Sequence, residues 1–328
     1  MALHLALETD GAGAHPAAWR FGDPANHLRP AAIRDVVLAA ESAGFALATF
    51  ADSPVPRAGA VGRLESVGRA AFVSTRTTAI GLAPAVPTAT VEPFHLAAQI
   101  ASLDHATRGR AAWVVTGTSP AALATVGLEE GPASEVVAAV RALWDSWEDD
   151  AVIKDVASGR YLDADKVHHV DFEGSSFTVK GPLITPRPPQ GQPVVIADAG
   201  LALDADIALI PADEVGRARP DSLVFAELEV VLDTDVPAES RLAALDAAAE
   251  WGSSRTRYVG SAVGLVELLG ELSSSVDGVL LHPAALAVDL PVLTRHVLPA
   301  LDLAPRRPTL RETLGLPKPV NRFARAGL

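Results

Sequence analysis

The stretch that most constrains this chain is residues 79–116, which read as strand, loop, helix, strand. Ile80 to Leu82 is a short apolar run, opened by Thr77 and Thr78 and closed by Pro84 and Pro87. Pro93 suits a first helical turn, because the N–H it lacks would have no partner there. From it Phe94, Leu96, Ala97, Ile100, Leu103 and Ala106 recur at three- and four-residue steps, the pattern of one helix face. Gly109 ends the helix, and residues 111–115 read as a second buried strand. A strand, a crossover helix and a second strand of this length form a βαβ unit, which requires a parallel sheet.

The same alternation runs through the rest of the chain. Strands are expected at 3–7, 45–50, 193–197, 206–210, 223–231 and 278–282, with a short extension at 257–259. Helices are expected at 31–43, 64–75, 134–147, 238–251, 262–272 and 286–298. Eight strands, mostly separated by helices, favour an α/β fold of the (β/α)8 TIM-barrel type over a doubly wound sheet. Residues 1–328 are read as one such domain, with a β-excursion at about 151–190 and an irregular tail at 304–328 that wraps the surface. Gly159, Gly174 and Gly181 mark the turns of the excursion. One connection resists the pattern. Between Ala197 and Asp206 only eight residues are available, and a crossover helix needs about a dozen. Either the barrel lacks a helix near Gly200, or one of those two strands is misassigned.

Hydrophobic residues make up 49% and charged residues 20%, enough apolar side chain for a large core. No apolar run reaches the roughly 18–20 residues that span a bilayer. The first ten residues lack a basic segment followed by a long apolar one, so no secretory signal is expected and the location is read as cytoplasmic. There is no cysteine, which removes disulfides, thiolate metal ligands and cysteine nucleophiles together. A net charge of −13 disfavours nucleic acid and anionic membrane as partners. Gly11-Ala12-Gly13 is followed by Pro16, so the dinucleotide fingerprint is absent. His168 and His169, adjacent in a strand, would point to opposite faces, and no metal site is expected. In a barrel the C-terminal strand ends form the active face. That places His15 and Trp19 past the first strand and Asp52 past the second. Thr88 and Thr90 follow the third, and Thr116 and Thr118 the fourth. A plainer reading stands beside this one: Asp52 caps a loop and the threonines satisfy turns. His95 falls inside a helix, outside the mouth.

Several runs together resemble the bacterial luciferase-like flavin-dependent monooxygenases, in the branch of the nitrilotriacetate, alkane and dibenzothiophene-sulfone enzymes. They are Glu92-Pro93-Phe94-His95-Leu96, Ala101-Ser102-Leu103-Asp104-His105 and Gly109-Arg110-Ala111-Ala112-Trp113. Arg141-Ala142-Leu143-Trp144, Pro186-Arg187-Pro188-Pro189-Gln190-Gly191 and Leu310-Arg311-Glu312 follow in the family's order. The resemblance implies a barrel with reduced FMN at the strand C-termini, delivered by a separate flavin reductase. Oxygen then forms a flavin hydroperoxide that inserts one oxygen atom into a small organic substrate. It implies flavin contacts at Asp52, Thr88 and Thr116, a substrate mouth near His15 and Trp19, and, as is frequent in the family, a homodimer.

The sequence also departs from the family. The asparagine expected after Trp113 is absent, and no aromatic stands near Glu130-Gly131 where a flavin-contacting tyrosine belongs. The Ala-Gly-x-Ser turn that holds the phosphate should follow Ala199-Gly200, where Leu201-Ala202-Leu203 stands instead. Two readings therefore compete: an active monooxygenase with an altered phosphate site, or a non-catalytic barrel of the same family that serves as partner subunit or small-molecule binding protein.

Overall fold

The computed structural model describes residues 2–22, 26–55, 62–129, 131–217 and 221–324. In chain order the strands are β1 (His4–Glu8), β2 (Leu47–Phe50), β3 (Gly81–Pro87) and β4 (Ala112–Thr116). Two antiparallel hairpins follow, β5 (Val152–Asp155) with β6 (Arg160–Leu162), and β7 (Phe172–Glu173) with β8 (Thr178–Val179). The last five are β9 (Val194–Asp198), β10 (Ile207–Pro211), β11 (Leu223–Leu232), β12 (Thr256–Gly260) and β13 (Gly278–Pro283). The ring runs β1-β2-β3-β4-β9-β10-β11-β13 and returns to β1, every pairing parallel. It is the closed eight-stranded barrel expected, and β12 lies beside the C-terminal half of β11 as a ninth strand.

Around the barrel stand α1 (Pro30–Ala43), α2 (Ser66–Ser74), α3 (Pro93–Thr107), α4 (Pro120–Val126) and α5 (Ala133–Trp144). Then come α6 (Ala238–Asp246), α7 (Ala262–Leu272), α8 (Leu286–Val292) and the short α9 (Leu310–Thr313). Their ends follow local chemistry. Pro30 and Pro93 open helices, Glu92 accepts from the amides of Phe94 and His95, and Gly44 closes α1 at φ 109° in the left-handed region. Leu5, Leu7, Val37, Phe45, Leu265, Leu281 and Leu290 fill the space between sheet and helices. Trp113, Trp144, Ile100 and Val140 pack the layer under α3 and α5. Ala6, Leu47, Ala85, Val114, Ile196 and Phe225 fill the lumen. No described helix is long and apolar enough to cross a membrane.

The connection from β9 to β10 settles the question left at Gly200: both strands are real and the crossover helix is missing. Eight extended residues reach at most about 28 Å, more than the roughly 17 Å of a five-residue strand, so the chain can return without helical turns. It makes one short 3₁₀ turn, Ala199–Leu201, and Leu203 and Ala205 then cover the outer face against the layer under α5. Asp206 fixes the start of β10 by accepting from Val195 N at 2.9 Å and from Arg311 at 2.9 Å.

Four expectations need correction. Pro84 does not close β3: the strand runs on to Pro87 with all seven residues buried, Pro84 opposite Phe50. Burial on both faces outweighs the one ladder donor that a proline lacks. The helix expected at 238–251 stops at Asp246, because Trp251 leaves it to pack against His15 and Arg257. The helix expected at 286–298 widens into a π-turn at Leu293–Val297 just after Pro291, whose missing N–H breaks the regular ladder. The tail is not confined to the surface, since Leu310 and Leu314 are buried among the lumen residues.

Candidate functional site: the mouth of the barrel

Inward-facing positions alternate along each strand, so the polar residues near the C-terminal ends converge on the mouth. On β11, Glu227 and Glu229 point inward between the outward Ala226, Leu228 and Val230. His282 of β13 stands opposite Glu229, and Arg257 of β12 stands opposite Glu229 from the other side. Glu227 accepts from His282 Nε2 at 3.0 Å and from Arg255 Nε at 2.8 Å. Burial alone would push its carboxyl up, but the hydrogen bond and charge of His282, together with Arg255, outweigh it and hold the group down at about 2. Glu229 is fully buried and accepts from Arg257 at 2.9 Å through Oε2, while its Oε1 is buried without a partner. Arg257 lies over the Trp251 ring at 3.8 Å.

The neighbouring strand ends are ionic as well. Glu8 accepts from Thr49 Oγ1 at 2.9 Å and Ala51 N at 3.2 Å. Asp10 pairs with Arg63 at 2.9 Å and Arg69 at 3.3 Å. The turn after β9 matters most. Asp198 Oδ1 accepts from Gly200 N at 2.7 Å, so the turn's amide is already held by a carboxylate of its own chain.

The residues singled out in the sequence are placed as follows. Asp52 stands just past β2, accepting from Ser53 N through Oδ1 and from Ser66 N, the first amide of α2, through Oδ2, both at 2.8 Å. These bonds tie the loop after β2 to the first residue of α2, whose own N-cap is Glu65. Asp52→Ala should therefore lower stability by about 1 kcal/mol, the usual net worth of such hydrogen bonds, read from the urea midpoint. An unchanged midpoint would show that these two bonds do not secure α2.

Thr88 is buried in the 3₁₀ turn after β3, and Thr90 donates to Pro87 O. Thr116 ends β4, and its Oγ1 and that of Thr118 are both buried without a hydrogen-bond partner. His15 is buried. Its Nδ1 accepts from Ala17 N at 3.0 Å, which leaves Nε2 to donate to Asp246 at 3.0 Å, and its ring meets Trp251 edge-on. Trp19 is 45% exposed and lines a separate cleft. Thr116 and Thr118 thus each hold a free hydroxyl at or just past the end of β4, while His15 packs on Trp251 and only Trp19 of that pair lines the cleft. His168 and His169 lie outside any strand, on Glu148 and on Gly181 O respectively.

The sequence reading missed Glu227, Glu229, Arg255, Arg257 and His282. A signal was present: Glu-x-Glu in an otherwise apolar strand, followed by Arg-x-Arg, is the alternation of two neighbouring strands that pair charges across one face.

A closed parallel barrel with a polar C-terminal mouth defines the class: a TIM-type α/β scaffold whose chemistry, where it has any, sits at this face. The chain belongs to the luciferase-like monooxygenase family, whose model matches residues 5–209, more than half of its length. One of the subunits of pristinamycin IIA synthase from Streptomyces pristinaespiralis is 35% identical over 300 residues, covering 89% of this chain and 91% of that protein. The other matching polypeptide of the same synthase is 39% identical over 103 residues, 29% of this chain and 20% of that one. Dibenzothiophene-sulfone monooxygenase of Rhodococcus erythropolis and a nitrilotriacetate monooxygenase component of Aminobacter aminovorans, from the expected branch, are 37% and 38% identical over 42% and 48% of this chain. The chain spans only 32% and 36% of their lengths. A solved long-chain alkane monooxygenase superposes with a TM-score of 0.82 at 20% identity, covering 96% of each chain, a likeness of fold.

FMN can be tested against this mouth residue by residue. A phosphate needs free backbone N–H groups at a helix N-terminus or a cation. At the expected position there is only the three-residue turn Ala199–Leu201, and its Gly200 amide is taken by Asp198. A phosphate placed there would face a carboxylate, a repulsion of roughly 1–4 kcal/mol at 4 Å. The 3₁₀ segment after β10 is no better suited, since its first turn carries Asp213 and Glu214. Among the described residues, neither the turn after β9 nor the segment after β10 fits the phosphate end of FMN.

Proposed function

We propose that this chain is one polypeptide of an FMN-dependent, two-component monooxygenase and that the flavin sits on a partner of the same family. The carrying observation is the Asp198 carboxylate on the Gly200 amide. It puts a fixed negative charge where the family cradles phosphate. The comparisons support the same reading. The relative matched over most of both chains works within a synthase of more than one polypeptide, and a stretch of this chain also resembles a second polypeptide of that synthase. In this reading a separate flavin reductase supplies reduced FMN, and the assembly inserts one oxygen atom from O2 into a small organic substrate. The site of action is cytoplasmic. This barrel contributes shape and contacts rather than the cofactor. Nucleic acid and membrane play no part.

A second reading, favoured by the unpartnered hydroxyls of Thr116 and Thr118, is a monooxygenase that holds the flavin by its ring alone. Titration of the isolated chain with FMN and with riboflavin, oxidised and anaerobically reduced, separates the two. The first reading expects no saturable binding of either below high micromolar concentration. The second expects FMN and riboflavin to bind equally.

A further inference from the structure

Outside the lumen, α1, the segment after β1 and α8 enclose a cavity of about 550 Å³. The space exists because the facing side chains are short, among them Ala31, Ala32 and Ala39 of α1 and Ala287 of α8. Trp19 and Phe21 stand on its wall and remain 45% and 39% exposed. Large aromatic side chains left half-open on the wall of a cavity are suited to the face of a planar ligand.

Two polar groups give the cavity chemistry. His27 Nε2 hydrogen-bonds to the Gly62 carbonyl at 3.1 Å and must be the donor, so in the neutral ring Nδ1 is an acceptor. That Nδ1 is buried and has no partner, a cost that a ligand O–H or N–H would relieve. Arg295 also lines the cavity, and among the described residues it has neither an ion pair nor a hydrogen bond. The acid on the same wall, Asp35, is already paired with Arg34 at 2.7 Å. Among the described residues the cavity therefore carries one uncompensated positive charge.

We propose that this cleft binds a single planar, largely apolar molecule that carries one anionic group and one hydrogen-bond donor. Its rings lie against Trp19 and Phe21, its donor meets His27 Nδ1, and its anion meets Arg295. The proposal goes beyond the flavin reading and does not depend on it, because no residue of the cleft belongs to the lumen.

Anilinonaphthalene sulfonate is a suitable probe, having two fused rings, an N–H and a sulfonate. Neutral phenylnaphthylamine keeps the rings and the N–H and lacks the charge. Fluorescence titration of the whole chain should give one saturable site, tighter for the sulfonate. Arg295→Gln should weaken the sulfonate about tenfold, as loss of a charge-assisted hydrogen bond does, and leave the neutral probe unchanged. Trp19→Ala should weaken both. Both side chains are exposed, so neither variant disturbs the core. Binding that does not saturate at one probe per chain would overturn the proposal. So would an Arg295→Gln variant in which the two probes change equally or not at all.

Discussion

Arg241→Met should destabilise the chain by about 3–5 kcal/mol at pH 7, the cost of leaving one member of a buried ion pair alone. Arg241 of α6 meets Asp289 of α8 at 2.7 Å and also donates to Leu232 O at the end of β11. Asp289 has no accessible surface and accepts from Leu232 N and Ala285 N. One side chain pair thus fastens two helices to the upper end of the longest strand. Burial already holds the Asp289 carboxyl above its ordinary range, with Arg241 pulling the other way. Without Arg241 the carboxyl rises further, so the folded variant takes up a proton that the unfolded chain does not. A group raised in the folded state stabilises on acidification. The gap between wild type and variant, measured by urea unfolding, should narrow as pH falls from 7 to 5. A gap below about 1 kcal/mol, or one that does not change with pH, would mean that water reaches Asp289 and that the pair is not buried in solution.

Acid should act in the opposite direction at the mouth. Glu227 is held at about 2, below its ordinary 4.5. Its contribution is present in full above pH 4.5 and is lost as pH falls towards 2. The difference corresponds to about 3 kcal/mol. His282 carries most of it, because Arg255 is 40% exposed and partly screened by water. Glu227→Gln should be less stable than wild type above pH 4.5, and the two stability curves should converge below it. Parallel curves would place the acid sensitivity elsewhere.

These two ion pairs also show what could be read from the sequence. The barrel was legible because parallel strands buried on both faces leave short apolar runs, and the runs at 45–50, 206–210 and 278–282 fall on strands of the ring. The gap between Ala197 and Asp206 was legible as well, since chain length alone forbids a crossover helix there. Pro84 misled, because local propensity says nothing of the burial that a central strand gains. The short α4 escaped notice among the breakers around it. The mouth was read through residues that match a family's pattern, and the tie that Asp52 makes to Ser66 N exists only once its loop and α2 are folded. The Glu227 and Glu229 cluster went unread because its cations, Arg257 of β12 and Arg255 just before it, arrive from outside the ring. Asp198 was visible in the sequence, but its hold on the Gly200 amide exists only once the turn is folded.

In the proposed function that contact decides how the chain relates to flavin, and a comparison of FMN with riboflavin reads it directly. The two differ only in the phosphate, so the ratio of their affinities for the isolated chain reports on the anion cradle and on nothing else. A turn filled by Asp198 predicts that neither ligand saturates the unaltered chain below high micromolar concentration, that FMN shows no advantage over riboflavin at any concentration, and that Asp198→Asn shifts the balance towards FMN. FMN binding at least tenfold tighter than riboflavin in the unaltered chain would contradict the account.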